Sequence, residues 1–123
     1  MDKRCSADAL IQFLNNAPTP FHSVAALARM LEDAGARRLE ERDPWQLECG
    51  GLYYFIKDAT MLCAFYVGTA DLAKTGFHMA GAHHDSPGLR IKPNGSRLDL
   101  TFERLIVEPY GGLIARGWFD RPL

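Results

Sequence analysis

At 123 residues the chain has the length of one ordinary domain, and 47% hydrophobic, 24% charged and 11% aromatic residues exclude intrinsic disorder. With 14 Lys and Arg against 15 Asp and Glu, the net charge is -1. That excludes an electrostatic grip on nucleic acid or on an anionic membrane surface, since both need a basic excess.

The first segment is predicted to be a short helix. Ser6 is placed to cap it, Asp8 lies in its first turn, and Leu10, Ile11, Phe13 and Leu14 make an apolar stripe. Asn15-Asn16-Ala17-Pro18-Thr19-Pro20 stops it, because prolines lack an N–H and push their predecessors toward extended backbone. A second helix is expected from about Ser23 to Ala34. Val24, Leu27, Ala28 and Leu31 fall at helical spacing, with Gly35 where a left-handed closing residue is wanted. Glu40-Glu41-Arg42-Asp43-Pro44 reads as a solvated connection.

From Gly50 the period shortens. Leu52 to Ile56 and Met61 to Val67 are rich in strand formers, with Lys57-Asp58-Ala59-Thr60 as a tight turn, which predicts an antiparallel hairpin. Phe77 to Ala82 is expected to be a third, central strand. Asn94-Gly95 is a turn pair, and Leu98, Leu100 and Phe102 alternate with polar residues as a half-buried strand would. Leu105-Ile106-Val107 makes another strand before Pro109-Tyr110-Gly111-Gly112 breaks the chain. No apolar run approaches the ~18 residues of a membrane span. No hydrophobic stretch follows Met1-Asp2-Lys3-Arg4-Cys5 to serve as a secretion signal. Cys5, Cys49 and Cys63 are odd in number and widely spaced, as reduced thiols are. A soluble, cytoplasmic protein is expected.

The densest cluster of chemistry is Gly81-Ala82-His83-His84-Asp85-Ser86-Pro87. On extended backbone His83 and Asp85 share a face and His84 points to the other. A carboxylate there can accept the His83 ring N–H, fix its tautomer and leave the second nitrogen's lone pair for a metal. A His–Asp hydrogen bond that merely satisfies a buried polar pair is the simpler reading of the tripeptide alone. A hydrolytic triad using Ser86 as nucleophile is geometrically poor, because triad members come from separated parts of a chain. His22 at a helix start reads as a capping or packing residue, and His78 as core or surface. Cys49 and Cys63 lack a Cys-x-x-Cys partner for structural zinc. Gly50-Gly51 and Gly111-Gly112 read as turns.

The string Ala82-His83-His84-Asp85-Ser86-Pro87-Gly88-Leu89-Arg90-Ile91-Lys92-Pro93 closely resembles the first metal-site motif of the M18 aspartyl aminopeptidases. Pro18-Thr19-Pro20-Phe21-His22 is similar to that family's N-terminal signature. Pro109-Tyr110-Gly111-Gly112 with Trp118-Phe119-Asp120-Arg121 is similar to its following segment. The matches fall in order along nearly the whole chain. His84 departs from the pattern, standing where threonine is common.

The resemblance implies a zinc-dependent exopeptidase acting on peptides with acidic first residues. His83 matches the histidine that ligates zinc, and Asp85 the acidic residue that orients it for catalysis. The remaining ligands of the two zinc ions and the glutamate general base lie farther along in the family. The implied fold is α/β: residues 1–90 form the first part of a catalytic metallopeptidase domain, and 91–123 open an inserted β-rich domain that builds dimers within a homo-oligomer, typically a dodecamer. Arg90 and Lys92 are candidates for an acid-binding pocket, though exposed strand charges are the simpler account. The chain is therefore expected to be a fragment, inactive alone, with exposed strand edges and a tendency to self-associate. The alternative is a non-enzymatic binding or assembly module in which the His–Asp pair is structural.

Overall fold

A computed structural model describes residues 3–99 and 101–119. Leu100, the opening Met1-Asp2 and the closing Asp120-Arg121-Pro122-Leu123 lie outside the described residues. The chain divides into two compact units, Met1–Asp85 and Ser86–Leu123.

The first unit begins with α1 (Lys3–Asn16) and α2 (Pro20–Asp33). Ser6 lies inside α1 and not at its N-cap position, since the helix starts three residues earlier. The stripe Leu10, Ile11 and Leu14 is more than half exposed. α2 also starts earlier than Ser23. Pro20 occupies the first turn, where its missing N–H costs nothing, and the Thr19 side chain accepts the His22 backbone N–H. Proline thus ends one helix and opens the next. At the far end Gly35 takes φ 83, and the Ala36 N–H reaches the Leu31 carbonyl at 2.8 Å, which closes the helix as its sequence position requires. Ser23, Val24 and Ala28 are buried, the inward face that the helical spacing defines.

That face lies on a three-stranded sheet ordered β1 (Arg37–Arg38), β2 (Leu52–Lys57) and β3 (Met61–Tyr66). β1 is parallel to β2, and β2 is antiparallel to β3, with Tyr53 opposite Phe65 and Lys57 opposite Met61. Asp58 and Ala59 turn the chain at φ 50 and 56. Period-two alternation splits the strongest apolar run between two faces. Tyr53 and Phe55 share one face with Phe65, and Trp45 covers it at ring-centroid distances of 5.3 Å from Phe55 and 6.0 Å from Phe65. Tyr54 points the other way, where its hydroxyl donates to Glu32 of α2 at 2.5 Å. Both tyrosines are fully buried.

The Glu32 bond, together with burial, raises the Tyr54 phenol above its ordinary value of 10.0. A raised phenol is favoured in its protonated form, so this contribution is complete below pH 10.0 and is lost as pH rises through the folded value. Tyr54→Phe is expected to lower stability by about 1 kcal/mol at neutral pH and to remove this part of the alkaline loss. Urea denaturation on either side of pH 10.0 measures both.

A short helix, α3 (Leu72–Thr75), follows the sheet, its start held by the Asp71 carboxylate accepting the Ala73 N–H. The expected strand at Phe77 to Ala82 does not form, and residues 76–87 run without helix or strand. A strand exists only by pairing, and no described strand lies alongside this one. Phe77 and Met79 are exposed accordingly.

The second unit is a two-stranded ribbon of β4 (Gly88–Asp99) and β5 (Phe102–Tyr110), then a 3-10 turn at Ala115–Trp118. Asn94-Gly95 does not reverse the chain as a hairpin. It lies in a bulge within β4, where Ile91 pairs with Val107 but Ser96 pairs with Leu105. A Cβ on Gly95 would meet the Lys92 and Ile106 carbonyls at 2.7 and 2.8 Å, so the bulge needs glycine there. The reversal falls between Asp99 and Phe102 instead. This splits the alternating run expected to be a single half-buried strand, and Leu98 and Phe102 are exposed. Pro109 continues β5, opposite Leu89, on a ribbon edge that tolerates a missing N–H.

Candidate metal centre

Residues 81–85 close the first unit, and their side chains diverge although the segment is not a strand. His83 turns back on Asp85. Its Nδ1 lies 3.0 Å from the Asp85 backbone carbonyl and 3.3 Å from the carboxylate oxygen Oδ1. A carbonyl oxygen only accepts, so Nδ1 carries the hydrogen and donates. The neutral ring then leaves Nε2 as a lone pair, on a side chain 84% exposed. His84 turns away and donates Nε2–H to the Thr60 carbonyl at 3.0 Å. Its Nδ1 is buried, with no hydrogen-bond partner among the described residues.

The sequence predicts that the Asp85 carboxylate accepts the His83 ring N–H. The structure brings the backbone carbonyl closer than the carboxylate. The carbonyl fixes which nitrogen carries the hydrogen, while the carboxylate places negative charge behind the ring. This donor set fits zinc, which takes neutral imidazole nitrogen. It supplies one ligand: among the described residues no group of three His, Cys, Asp or Glu converges as a metal cluster.

The other candidates lie elsewhere. The Thr19 hydroxyl is 2.8 Å from His22 Nδ1, which makes His22 part of the α2 cap. His78 is exposed on irregular backbone, and Cys49 and Cys63 are free thiols, the second on β3. Ser86 opens the second unit. Arg90 lies over the Tyr110 ring at 4.5 Å, and Lys92 is exposed at the start of the β4 bulge. Residue spacing did not point to the Asp85 carbonyl or to the His84–Thr60 bond. The second spans 24 residues, and no short motif encodes it.

Among the described residues, His83 thus has one ring nitrogen fastened to Asp85 and the other open on an exposed side chain, the arrangement a single metal ligand needs. Residues 13–123 match the family model described as aminopeptidase I zinc metalloprotease (M18). A probable M18 family aminopeptidase 2 of Pseudomonas paraeruginosa is 50% identical over 114 residues, covering 93% of this chain and 27% of that protein. The crystal structure of yeast aminopeptidase 1 matches with a TM-score of 0.86 at 31% identity, over 98% of this chain and 28% of that one. The S. cerevisiae mApe1 dodecamer matches with a TM-score of 0.83 at 32% identity, over 94% and 27%. This chain belongs to the M18 family of zinc metallopeptidases. It spans about a quarter of the length of the relatives it matches.

Proposed function

We propose that the protein carrying this chain is a zinc aminopeptidase that removes acidic residues, Asp or Glu, from the N-termini of peptides. His83 is one ligand of a two-zinc centre and Asp85 orients it. The observation that carries this is the fastened His83 ring with its bare Nε2, in a chain of the M18 family. Zinc, when bound, polarises a peptide carbonyl and lowers the pKa of a bound water. His83 holds its position through the Nδ1–H bond to the Asp85 carbonyl, so its lone pair needs no reorganisation to bind. The Asp85 carboxylate keeps that ring electron-rich.

A catalytic zinc takes about three protein ligands, and the described residues offer one. The 123 residues alone are therefore inactive, the other ligands and the glutamate base being supplied by parts of the protein outside this chain, which covers 27% of its Pseudomonas paraeruginosa relative. Residues 1–90 are the first part of the catalytic domain and 91–123 the opening of an inserted β-rich domain. The chain's division into two compact units supports two domains, with the break at Asp85/Ser86, five residues before that boundary. The dodecamer formed by the S. cerevisiae relative supports a homo-oligomeric working state. No helix among the described residues is long and apolar enough to cross a membrane, and the proposed site of action is the cytoplasm.

The test compares aspartyl, glutamyl, leucyl and lysyl p-nitroanilides as substrates for the full-length protein and for the 123-residue polypeptide, with and without a chelator. The expected result is chelator-sensitive release from the acidic substrates by the full-length protein alone. A full-length protein with no activity on any of them favours the assembly-module reading. Preference for leucyl or lysyl substrates overturns the acidic specificity, and turnover by the short polypeptide overturns its inactivity.

A further inference from the structure

We propose that His84 is the positioning residue of this centre: by donating its Nε2–H to the Thr60 carbonyl, it moors the segment that carries His83 and Asp85 to the β2–β3 loop. The proposal rests on the zinc-ligand reading of His83 and deepens it.

A ligand on a strand is held by the ladder hydrogen bonds on either side of it. Residues 76–87 belong to no ladder, and His83 is too exposed for packing to lock its ring. The internal bonds from His83 to Asp85 fix one side chain against its neighbour's backbone. They do not fix the pair against the body of the unit. The bond from His84 does so, reaching 24 residues back to Thr60 at 3.0 Å.

The acceptor suits this use. Thr60 lies in the three-residue loop between β2 and β3, outside their ladder pairs. Asp58 and Ala59 are fixed in left-handed backbone, and the Thr60 N–H bonds to the Lys57 carbonyl at 3.2 Å. The loop is therefore one defined shape attached to a sheet whose central strand holds two fully buried tyrosines. The bond has a cost, because it leaves His84 Nδ1 buried with no partner among the described residues. A histidine with no structural duty would turn outward and hydrate both nitrogens. The two rings have different partners, His83 bonding to Asp85 and His84 to Thr60, so one residue is left to serve as ligand while the next grips the scaffold.

The experiment measures zinc affinity of the full-length protein by competition with a chromogenic chelator, together with kcat and KM on the aspartyl substrate. The variants are His84→Ala, His84→Asn, His84→Gln and His83→Ala. A glutamine amide reaches nearly the Nε2 position and can donate to the same carbonyl, whereas an asparagine amide stops near Nδ1. His84→Ala and His84→Asn are expected to weaken zinc binding roughly five- to tenfold, the effect of losing one neutral hydrogen bond. They lower kcat while KM stays near its original value, since ligand placement and not substrate binding is disturbed. His84→Gln restores both quantities. Unchanged zinc affinity in His84→Ala, or no recovery in His84→Gln, overturns the mooring role. If His83→Ala also leaves zinc affinity unchanged, the ligand reading falls and the mooring with it. If His83→Ala loses zinc while His84→Ala keeps it, the mooring alone falls.

Discussion

Replacing His83 with alanine is expected to strip the protein of zinc and of peptidase activity while leaving its fold intact. The side chain is 84% exposed, and the bonds it makes run to Asp85 two residues away. Truncating it therefore removes little packing, and the stability change should stay within about 0.5 kcal/mol, as for surface substitutions generally. Metal binding behaves oppositely. Removing an outer partner of a metal-bound histidine costs roughly 10- to 100-fold in affinity, and removing the ligand itself must cost more. Metal content after dialysis, read beside the thermal transition of the apoprotein, separates the two effects. An unchanged melt with lost zinc is the expected pair of results; retained zinc would contradict the assignment.

The second large effect is structural. Tyr53→Ala should destabilise the first unit by about 3–5 kcal/mol, the range for deleting a buried aromatic side chain. Tyr53 is fully buried on the central strand, stacks on Phe65 at 5.7 Å, and receives hydrogen bonds on its hydroxyl from Arg37 and from the Glu48 backbone N–H at 2.9 Å. Its ring also lies against Gly51, so closely that a Cβ there would overlap the ring edge. Glycine has no side chain to fold in, so the space left by the ring stays unfilled on that side. Small domains hold a margin of about 5–15 kcal/mol, which makes this loss a large share of the total. Urea denaturation of the variant against Tyr53→Phe, which keeps the stack and loses only the hydroxyl, measures the ring's part. A shift no larger than that of Tyr53→Phe would show the core to lie elsewhere.

Local rules made the helices and the first hairpin legible. Val24 and Ala28, two of the four residues at helical spacing, are buried on α2, with Leu27 and Leu31 half-buried beside them, and Gly35 marked its end with the positive φ it takes. The α/β fold, implied by the family resemblance, agrees with the solved M18 structures. Three features were not legible, each because long-range pairing outweighed local propensity. Arg37-Arg38 forms a strand through parallel pairing with Tyr53 and Tyr54, although two adjacent arginines have no strand pattern. Phe77 to Ala82 has strand composition but no described strand to pair with. Asn94-Gly95 has the chemistry of a hairpin turn, yet β5 pairs on both sides of it and makes it a bulge. Of the centre, the His83–Asp85 pair was legible from a two-residue spacing. The carbonyl contact was not, since every residue carries a carbonyl, and the Thr60 tether depends on tertiary structure.

The most direct measurement is a crystal structure of the full-length, zinc-loaded protein with anomalous scattering recorded at the zinc edge. With Nδ1 committed to Asp85, a zinc ion is expected on His83 Nε2, at about 2.0–2.1 Å. A zinc peak on Nδ1, or a His83 ring with no metal in coordination range, would contradict it.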